Sequence, residues 1–520
     1  MPNSTTQNLL SFSSLTLKCT FFLTTSLRIF LFFSYSFHKF MAFNIATMLP
    51  FFLSFVFLYF IIANGGCELE QKKMFKVQML QRNHQFGSKG CILPESRKEK
   101  GAIVLEMKDR GYCSERKINW NRKLQKQLIF DDLRVRSMQN RIRAKVSGHN
   151  SSEQSSEIQI PLASGINLET LNYIVTIGLG NQNMTVIIDT GSDLTWVQCD
   201  PCMSCYSQQG PVFNPSNSSS YNSLLCNSST CQNLQFTTGN TEACESNNPS
   251  SCNYTVSYGD GSFTDGELGV EHLSFGGISV SNFVFGCGRN NKGLFGGVSG
   301  IMGLGRSNLS MISQTNTTFG GVFSYCLPTT DSGASGSLVI GNESSLFKNL
   351  TPIAYTSMVS NPQLSNFYVL NLTGIDVGGV AIQDTSFGNG GILIDSGTVI
   401  TRLAPSLYNA LKAEFLKQFS GYPIAPALSI LDTCFNLTGI EEVSIPTLSM
   451  HFENNVDLNV DAVGILYMPK DGSQVCLALA SLSDENDMAI IGNYQQRNQR
   501  VIYDAKQSKI GFAREDCSFI

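Results

Sequence analysis

Histidine is scarce in this chain. Only five occur in 520 residues, and only His272 and His451 follow Glu157. That leaves little material for a Ser–His or Cys–His protease and little for an imidazole-rich metal site. A P-loop, a G-x-S-x-G elbow and an H-E-x-x-H helix are also missing. Charged residues make up only 15%, and long helical periodicity is rare. Glycine is abundant, and β-branched and aromatic residues are frequent. Many short strands, and so an all-β class, follow from that balance. The length allows two lobes plus extra segments.

Aspartate, by contrast, occurs twice in one setting. Val186-Ile187-Ile188-Asp189-Thr190-Gly191-Ser192 is echoed by Ile392-Leu393-Ile394-Asp395-Ser396-Gly397-Thr398. Three apolar residues before each Asp predict an interior strand. A buried carboxylate needs hydrogen-bond donors nearby. Gly191 and Gly397 let the backbone turn its N–H groups inward. Ser192 and Thr398 can donate hydroxyls to the outer oxygens, and Thr190 and Ser396 can brace one loop against the other. If the halves fold alike and face each other, two carboxylates meet. Such a pair shares one proton and titrates as a unit. Its ionised member can take a proton from water while the other polarises a carbonyl. That chemistry is peptide hydrolysis without a covalent intermediate and without metal. A partial decoy, Asp331-Ser332-Gly333-Ala334, lacks both the apolar run and the final hydroxyl.

From roughly Ile158 to Ile520 the chain resembles the pepsin-like aspartic proteases, and most closely the plant nepenthesin and chloroplast-nucleoid-protease branch. Beyond the two Asp motifs, the first continues as Asp193-Leu194-Thr195-Trp196. Tyr258-Gly259-Asp260-Gly261-Ser262 is similar to the flap hairpin, with Tyr258 as the flap tyrosine. Gly300-Ile301-Met302-Gly303 and Ala489-Ile490-Ile491-Gly492 match the segments that cross behind each catalytic loop. The resemblance implies a bilobal fold, two related β-barrel-like lobes with a cleft between them. It also implies a hydrogen bond between Trp196 and Tyr258 that steadies the flap. The three glycines in the stretch Val256 to Gly266, the last included, predict a mobile hairpin in their own right. Ile187, Ile301 and the flap suggest an apolar pocket beside the pair.

The charges divide the chain. From Glu157 onward there are 13 Lys and Arg against 30 Asp and Glu, whereas the first 156 residues hold 23 against 10. A basic leader before an acidic body reads as a propeptide that docks by charge and loosens in acid. No acidic residue precedes Glu68. The apolar run from Met48 to Ala63, followed by Asn64-Gly65-Gly66, has the form of a signal-peptide core and cleavage zone. A membrane anchor is the alternative for that run. Met41 and Met48 are alternative starts, and an organelle presequence is another reading of the front. Leu124, Leu128, Val135, Met138 and Ile142 fall on one helical stripe. His149 to Ser156 is a polar linker suited to cleavage, after which Glu157 to Leu162 would open the first strand of the body. The divisions expected are a leader over 1–66, a propeptide and linker over 67–156, and lobes over 157–345 and 346–520.

Twelve cysteines lie in the body: Cys199, Cys202, Cys205, Cys226, Cys231, Cys244, Cys252, Cys287, Cys326, Cys434, Cys476 and Cys517. An even number after a signal-like segment reads as disulfides. The spacing Cys199-x-x-Cys202-x-x-Cys205 also suits zinc or an iron–sulfur cluster, but the poverty in histidine argues against it. No metal and no cofactor is expected. The Cys199–Cys252 cluster resembles the Cys-rich insertion of the nepenthesin branch, and the same resemblance implies a Cys434–Cys476 bridge. Ten N-x-[ST] sequons, from Asn183 to Asn436, agree with a secretory route.

The expectation is an aspartic endopeptidase with Asp189 and Asp395 as its catalytic pair. Its partners would be polypeptide substrates and its own propeptide. Nucleic acid is an unlikely partner, and a monomer is expected. The secretory pathway leading to apoplast or vacuole is the expected location, with the plastid as alternative. The rival function is an inert binding or inhibitor protein on the same fold.

Overall fold

A computed structural model describes residues 72–76, 94–109, 120–147 and most of 172–517. The signal-like run, the linker, the Glu157–Leu162 segment, the decoy at Asp331 and the flap-tip residues Gly259, Asp260 and Gly261 lie outside the described residues.

Strands dominate, and the same unit is built twice. The strand Gln182–Asp189 runs parallel to Gly300–Gly303, with Gly303 opposite Asp189. The strand Ile392–Ile394 runs parallel to Ala489–Ile491. In the first half Trp196–Gln198 packs antiparallel to Gly300 and Ile301 and parallel to Gly286–Gly288. In the second, Thr401–Leu403 meets Ile490 antiparallel and Leu479–Ser481 in parallel. Strands buried on both faces read as unbroken apolar runs, which is why Val186-Ile187-Ile188 and Ile392-Leu393-Ile394 lack alternation. The two crossing segments end on glycines for a steric reason. A Cβ on Gly303 would sit 2.2 Å from the Asp193 carbonyl oxygen, and one on Gly492 would sit 2.3 Å from that of Val399.

A 15-stranded sheet joins the halves, and the basic leader is part of it. Its strand Ala102–Asp109 lies between Gly336–Ile340 and Tyr173–Leu179. Ile103, Leu105 and Met107 enter the main core, while Ala102 and Val104 pack with Val339 and Leu346. Glu106 and Lys108, both buried, pair with each other at 3.3 Å. Another leader strand, Lys72–Lys76, pairs with Glu442–Pro446 in the second half. The leader is thus stitched to both lobes by backbone hydrogen bonds and apolar side chains, not by surface charge alone.

The leader helix, α1 (Trp120–Ser147), follows the stripe expected from its sequence. Leu128 packs with Val399, Ile400 and Leu431. Val135, Met138 and Ile142 pack with Phe367, Leu393 and Ile490.

Six disulfides close the body. Cys199–Cys287, Cys202–Cys205, Cys226–Cys244 and Cys231–Cys252 tie the Cys-rich region. Cys326–Cys517 anchors the chain end, and Cys434–Cys476 bridges paired strands. Among the described residues one trio of donors, Cys226, Cys231 and Cys244, is close enough to hold a metal. All three sulfurs are spent in disulfides.

Candidate active site

Asp189 ends one parallel strand pair and Asp395 follows the other, so the fold carries both to one point. Both side chains are buried. Their cradles match atom for atom. The Gly191 N–H donates to Asp189 Oδ1 at 3.0 Å, and the Gly397 N–H donates to Asp395 Oδ1 at 3.0 Å. The Ser192 hydroxyl donates to Asp189 Oδ2 at 2.5 Å, and the Thr398 hydroxyl to Asp395 Oδ2 at 2.6 Å. The two loops are cross-braced. The Thr190 N–H donates to Ser396 Oγ at 3.1 Å, and the Ser396 N–H to Thr190 Oγ1 at 2.9 Å.

Glycine is required beside each carboxylate because the opposite carboxylate and the side chains of α1 are so near. A Cβ on Gly191 would lie 2.8 Å from Asp395 Oδ1, and one on Gly397 would lie 2.4 Å from Asp189 Oδ1. Real Cβ atoms do not approach so closely, so the loops would have to part. Gly397→Ala is expected to lose about 1–3 kcal/mol by overpacking and to open the carboxylate spacing. Thermal unfolding and turnover would both register it, and a wild-type melt with wild-type rate would contradict this reading of the loop.

Over the pair lies the hairpin formed by Asn253–Ser257 and Phe263–Phe275. The Tyr258 N–H closes it onto the Ser262 carbonyl at 2.7 Å. The Trp196 indole N–H donates to the Tyr258 hydroxyl at 2.8 Å. Trp196 is held edge-on by Phe295, which also meets Tyr258. Burial, then the Asp189 charge, pushes the Tyr258 phenol above its ordinary range, so it stays a neutral donor. Ile187 and Ile301 are buried in this same cluster with Trp196 and Tyr254.

Sequence reasoning missed what fills the cleft. Arg134 of α1 reaches the pair, and one guanidinium nitrogen, Nη2, donates to Asp189 Oδ1 at 2.7 Å and to Asp395 Oδ2 at 3.1 Å. Burial alone would push Arg134 down, but the two carboxylates outweigh it and hold the cation more firmly charged. Burial would likewise raise Asp395. The Arg134 cation, the Thr398 hydroxyl and the Gly397 N–H together bring it below the usual carboxylate range. One turn earlier, Asp131 accepts from the Val399 N–H at 2.6 Å, the Ile400 N–H at 3.1 Å and Arg402 Nη2 at 2.9 Å. The Gln139 amide pairs with the Met488 backbone, donating to its carbonyl at 2.7 Å and accepting from its N–H at 2.9 Å. Arg143 pairs with Asp487 at the rim. The signal was present in the sequence: Asp131 and Arg134 fall on the stripe Leu128, Val135, Met138, Ile142, at helical spacing. Two charges inside an apolar stripe need partners in what the stripe packs against.

Residues 173–342 match the family model described as xylanase inhibitor N-terminal, and 367–514 match its C-terminal counterpart. An aspartyl protease family protein of Arabidopsis thaliana is 44% identical, with 75% of this chain and 82% of that protein covered. The chain belongs to the pepsin-like aspartic protease family of plants. Nepenthesin-1 of Nepenthes gracilis, an aspartic proteinase, is 37% identical over 66% of this chain and 78% of its own. Among solved structures, the basic 7S globulin of soybean superposes with a TM-score of 0.54 at 19% identity, covering 67% of this chain and 95% of the globulin. That likeness concerns the fold alone. Relatives named as proteases and a fold neighbour named as a globulin therefore share this architecture, and what separates them must be sought in the site.

Proposed function

We propose that this chain is an aspartic endopeptidase made as a secreted preproenzyme, with Asp189 and Asp395 as its catalytic pair. The observation that carries the reading is the matched pair of carboxylate cradles meeting at one cation. The place now taken by Arg134 Nη2 is within hydrogen-bond reach of both carboxylates. A water there, once α1 has left, would lie against both. The ionised carboxyl takes a proton from that water as its oxygen attacks the scissile carbonyl, and the protonated one donates to the carbonyl oxygen. Collapse of the tetrahedral species returns a proton to the leaving amine. Ser192 and Thr398 orient the outer oxygens. Tyr258, backed by Trp196, closes over the peptide and excludes water.

The substrate lies extended and trades main-chain hydrogen bonds with the cleft. The Met488 N–H and carbonyl, now occupied by the Gln139 amide, are such a pair. Ile187, Ile301 and the flap favour a large apolar side chain beside the cut bond. Residues before about Glu157 act as the leader, and α1 keeps the proform silent. The signal-like run and the disulfides favour a secretory route ending in apoplast or vacuole, with the enzyme acting as a monomer in acid.

An inert inhibitor or storage role is the rival, and the xylanase-inhibitor name of the family models is what raises it. An inert relative has no need of both carboxylates, both outer hydroxyls and the Trp196–Tyr258 brace. The deciding assay is hydrolysis of an acid-denatured protein after leader removal, with and without pepstatin. Pepstatin-sensitive cleavage is expected, and absence of cleavage would end the protease reading.

A further inference from the structure

Asp131 and Gln139 of α1 occupy two cleft sites of different character. At Met488 the body offers one N–H and one carbonyl, and an amide fills them. That set suits a peptide main chain, which presents the same two groups. Around Asp131 the body offers three donors and no acceptor: the Val399 N–H, the Ile400 N–H and the Arg402 guanidinium. One of the three is a cation. Three convergent donors with a positive charge fit a carboxylate and do not fit an amide.

Arg402 is fully buried. Its Nη1 donates to the Ile400 carbonyl at 2.8 Å, which points the guanidinium along the strand edge. Among the described residues, Asp131 is the one carboxylate within ion-pair distance of Arg402. Asp131 belongs to α1 and leaves with it. The body then holds a cation in a low-dielectric wall with its counter-ion gone, and leaving a buried charge unpaired is costly.

We propose that Val399 N–H, Ile400 N–H and Arg402 form a carboxylate subsite of the open cleft, which takes an Asp or Glu side chain of the substrate near the cleaved bond. The inference rests on the protease reading above and adds a substrate class to it. Position follows from geometry. Asp131 precedes Arg134 by three residues, about 4.5 Å along a helix. Arg134 Nη2 marks the place of the attacking water, beside the reacting carbonyl. In an extended peptide, same-face side chains recur about every 6.7 Å. An offset of that size is about one to two residues of extended chain, so the acidic residue stands within about two residues of the scissile bond. The leader thus uses Asp131 to imitate an acidic substrate side chain and Gln139 to imitate substrate backbone.

The test reads binding rather than turnover. The full chain carrying Asp189→Asn is folded intact, then cut between His149 and Ser156 by an added protease. Release of a fluorescent label on the leader is followed as peptides are added. The peptides are Glu and Gln twins, differing at a single position one or two residues on either side of a Phe–Leu pair. At about pH 5.5 a free Glu is ionised. At one of those positions the Glu twin is expected to release the leader at about ten- to hundredfold lower concentration than its Gln twin, the range for a charge-assisted bond. Arg402→Gln should erase the difference. Equal release by both twins at every position, or by neither, overturns the proposal, and the wild-type-Arg402 comparison stands even if the Arg402 variant fails to fold. With Asp189 restored, pepstatin-sensitive cleavage of the same peptides tests the protease reading separately. A chain that binds the Glu twin but cuts neither keeps the subsite and loses the enzyme, and one that cuts both twins alike does the reverse.

Discussion

Asp395→Asn is expected to lower peptide turnover by at least about a thousandfold, within the range for removing a general acid–base group, with the fold intact. Asn has the size of Asp; its one oxygen can still accept from the Gly397 N–H, now at 3.0 Å from Asp395, and its NH2 can donate to the Thr398 hydroxyl once that hydroxyl, now donating at 2.6 Å, turns round. Packing around the position should therefore survive. What goes is the ability to pass a proton. An amide cannot share one with Asp189, so the water loses either its base or the carbonyl loses its acid. The loops stay locked through the two N–H-to-hydroxyl bonds between Thr190 and Ser396, and the substitution touches only the long 3.5 Å contact of the Thr190 hydroxyl with the carboxyl. The melting temperature of the leader-free protein should shift by only a few degrees, of the order of 1 kcal/mol. Retention of more than about a tenth of wild-type turnover, far outside the range for an acid–base group, would remove Asp395 from the mechanism. Asp189→Asn should behave alike, because the Gly191 and Ser192 contacts repeat the pattern.

The site was legible where its chemistry is local. Apolar strand, Asp, small hydroxyl, Gly and small hydroxyl stand side by side in the chain, so one stretch of sequence states both the burial and its compensation. The same holds for the crossing glycines, since a Gly after two apolar residues already announces a close backbone approach. Trp196 and Tyr258 were paired through family resemblance, and they do meet. The leader was harder, because its meaning lies in what it touches. Arg134 is one of 23 basic residues before Glu157, and nothing adjacent separates it from Arg136. Yet Arg136 stays at the surface and pairs with Asp132 on its own helix, while Arg134 enters the cleft. The charge asymmetry pointed to docking by charge and left the apolar contacts out. Apolar packing of α1 and the strand Ala102–Asp109 carries much of it, and one docking ion pair has the opposite polarity, with acid on the leader and base on the body. The disulfide pattern of the Cys-rich region was out of reach for a related reason, since Cys199 finds its partner 88 residues away.

Arg134→Gln is expected to move leader release toward neutral pH by about two units. The sign comes from Asp395. Docked, it is held below the ordinary carboxylate range, because Arg134, Thr398 and Gly397 outweigh its burial. A carboxyl depressed in the docked state holds fewer protons there than after release, so docking is strong above the undocked value and is lost as pH falls through the docked one. Once α1 has gone, two carboxylates this close hold one proton between them, which widens the difference. Asp131 acts in the opposite sense. Burial raises it despite Arg402 and the two N–H donors, so its protonation does not drive the helix out. The acid-sensitive group beneath Arg134 is therefore Asp395. Removing one partner of a buried ion pair costs about 3–5 kcal/mol. The lower figure applies here, because the carboxylates can recover by sharing a proton. About 3 kcal/mol is about two units of pH for one proton. The measurement is the midpoint of self-processing or leader dissociation for full chains folded at neutral pH and then titrated downward. Arg134→Lys keeps the charge but gives up the planar fork, so its midpoint should fall between those of wild type and Arg134→Gln. A midpoint that stays put in Arg134→Gln would mean that the strand Ala102–Asp109 and the apolar stripe hold the leader, with the cation over the carboxylates contributing nothing to the lock.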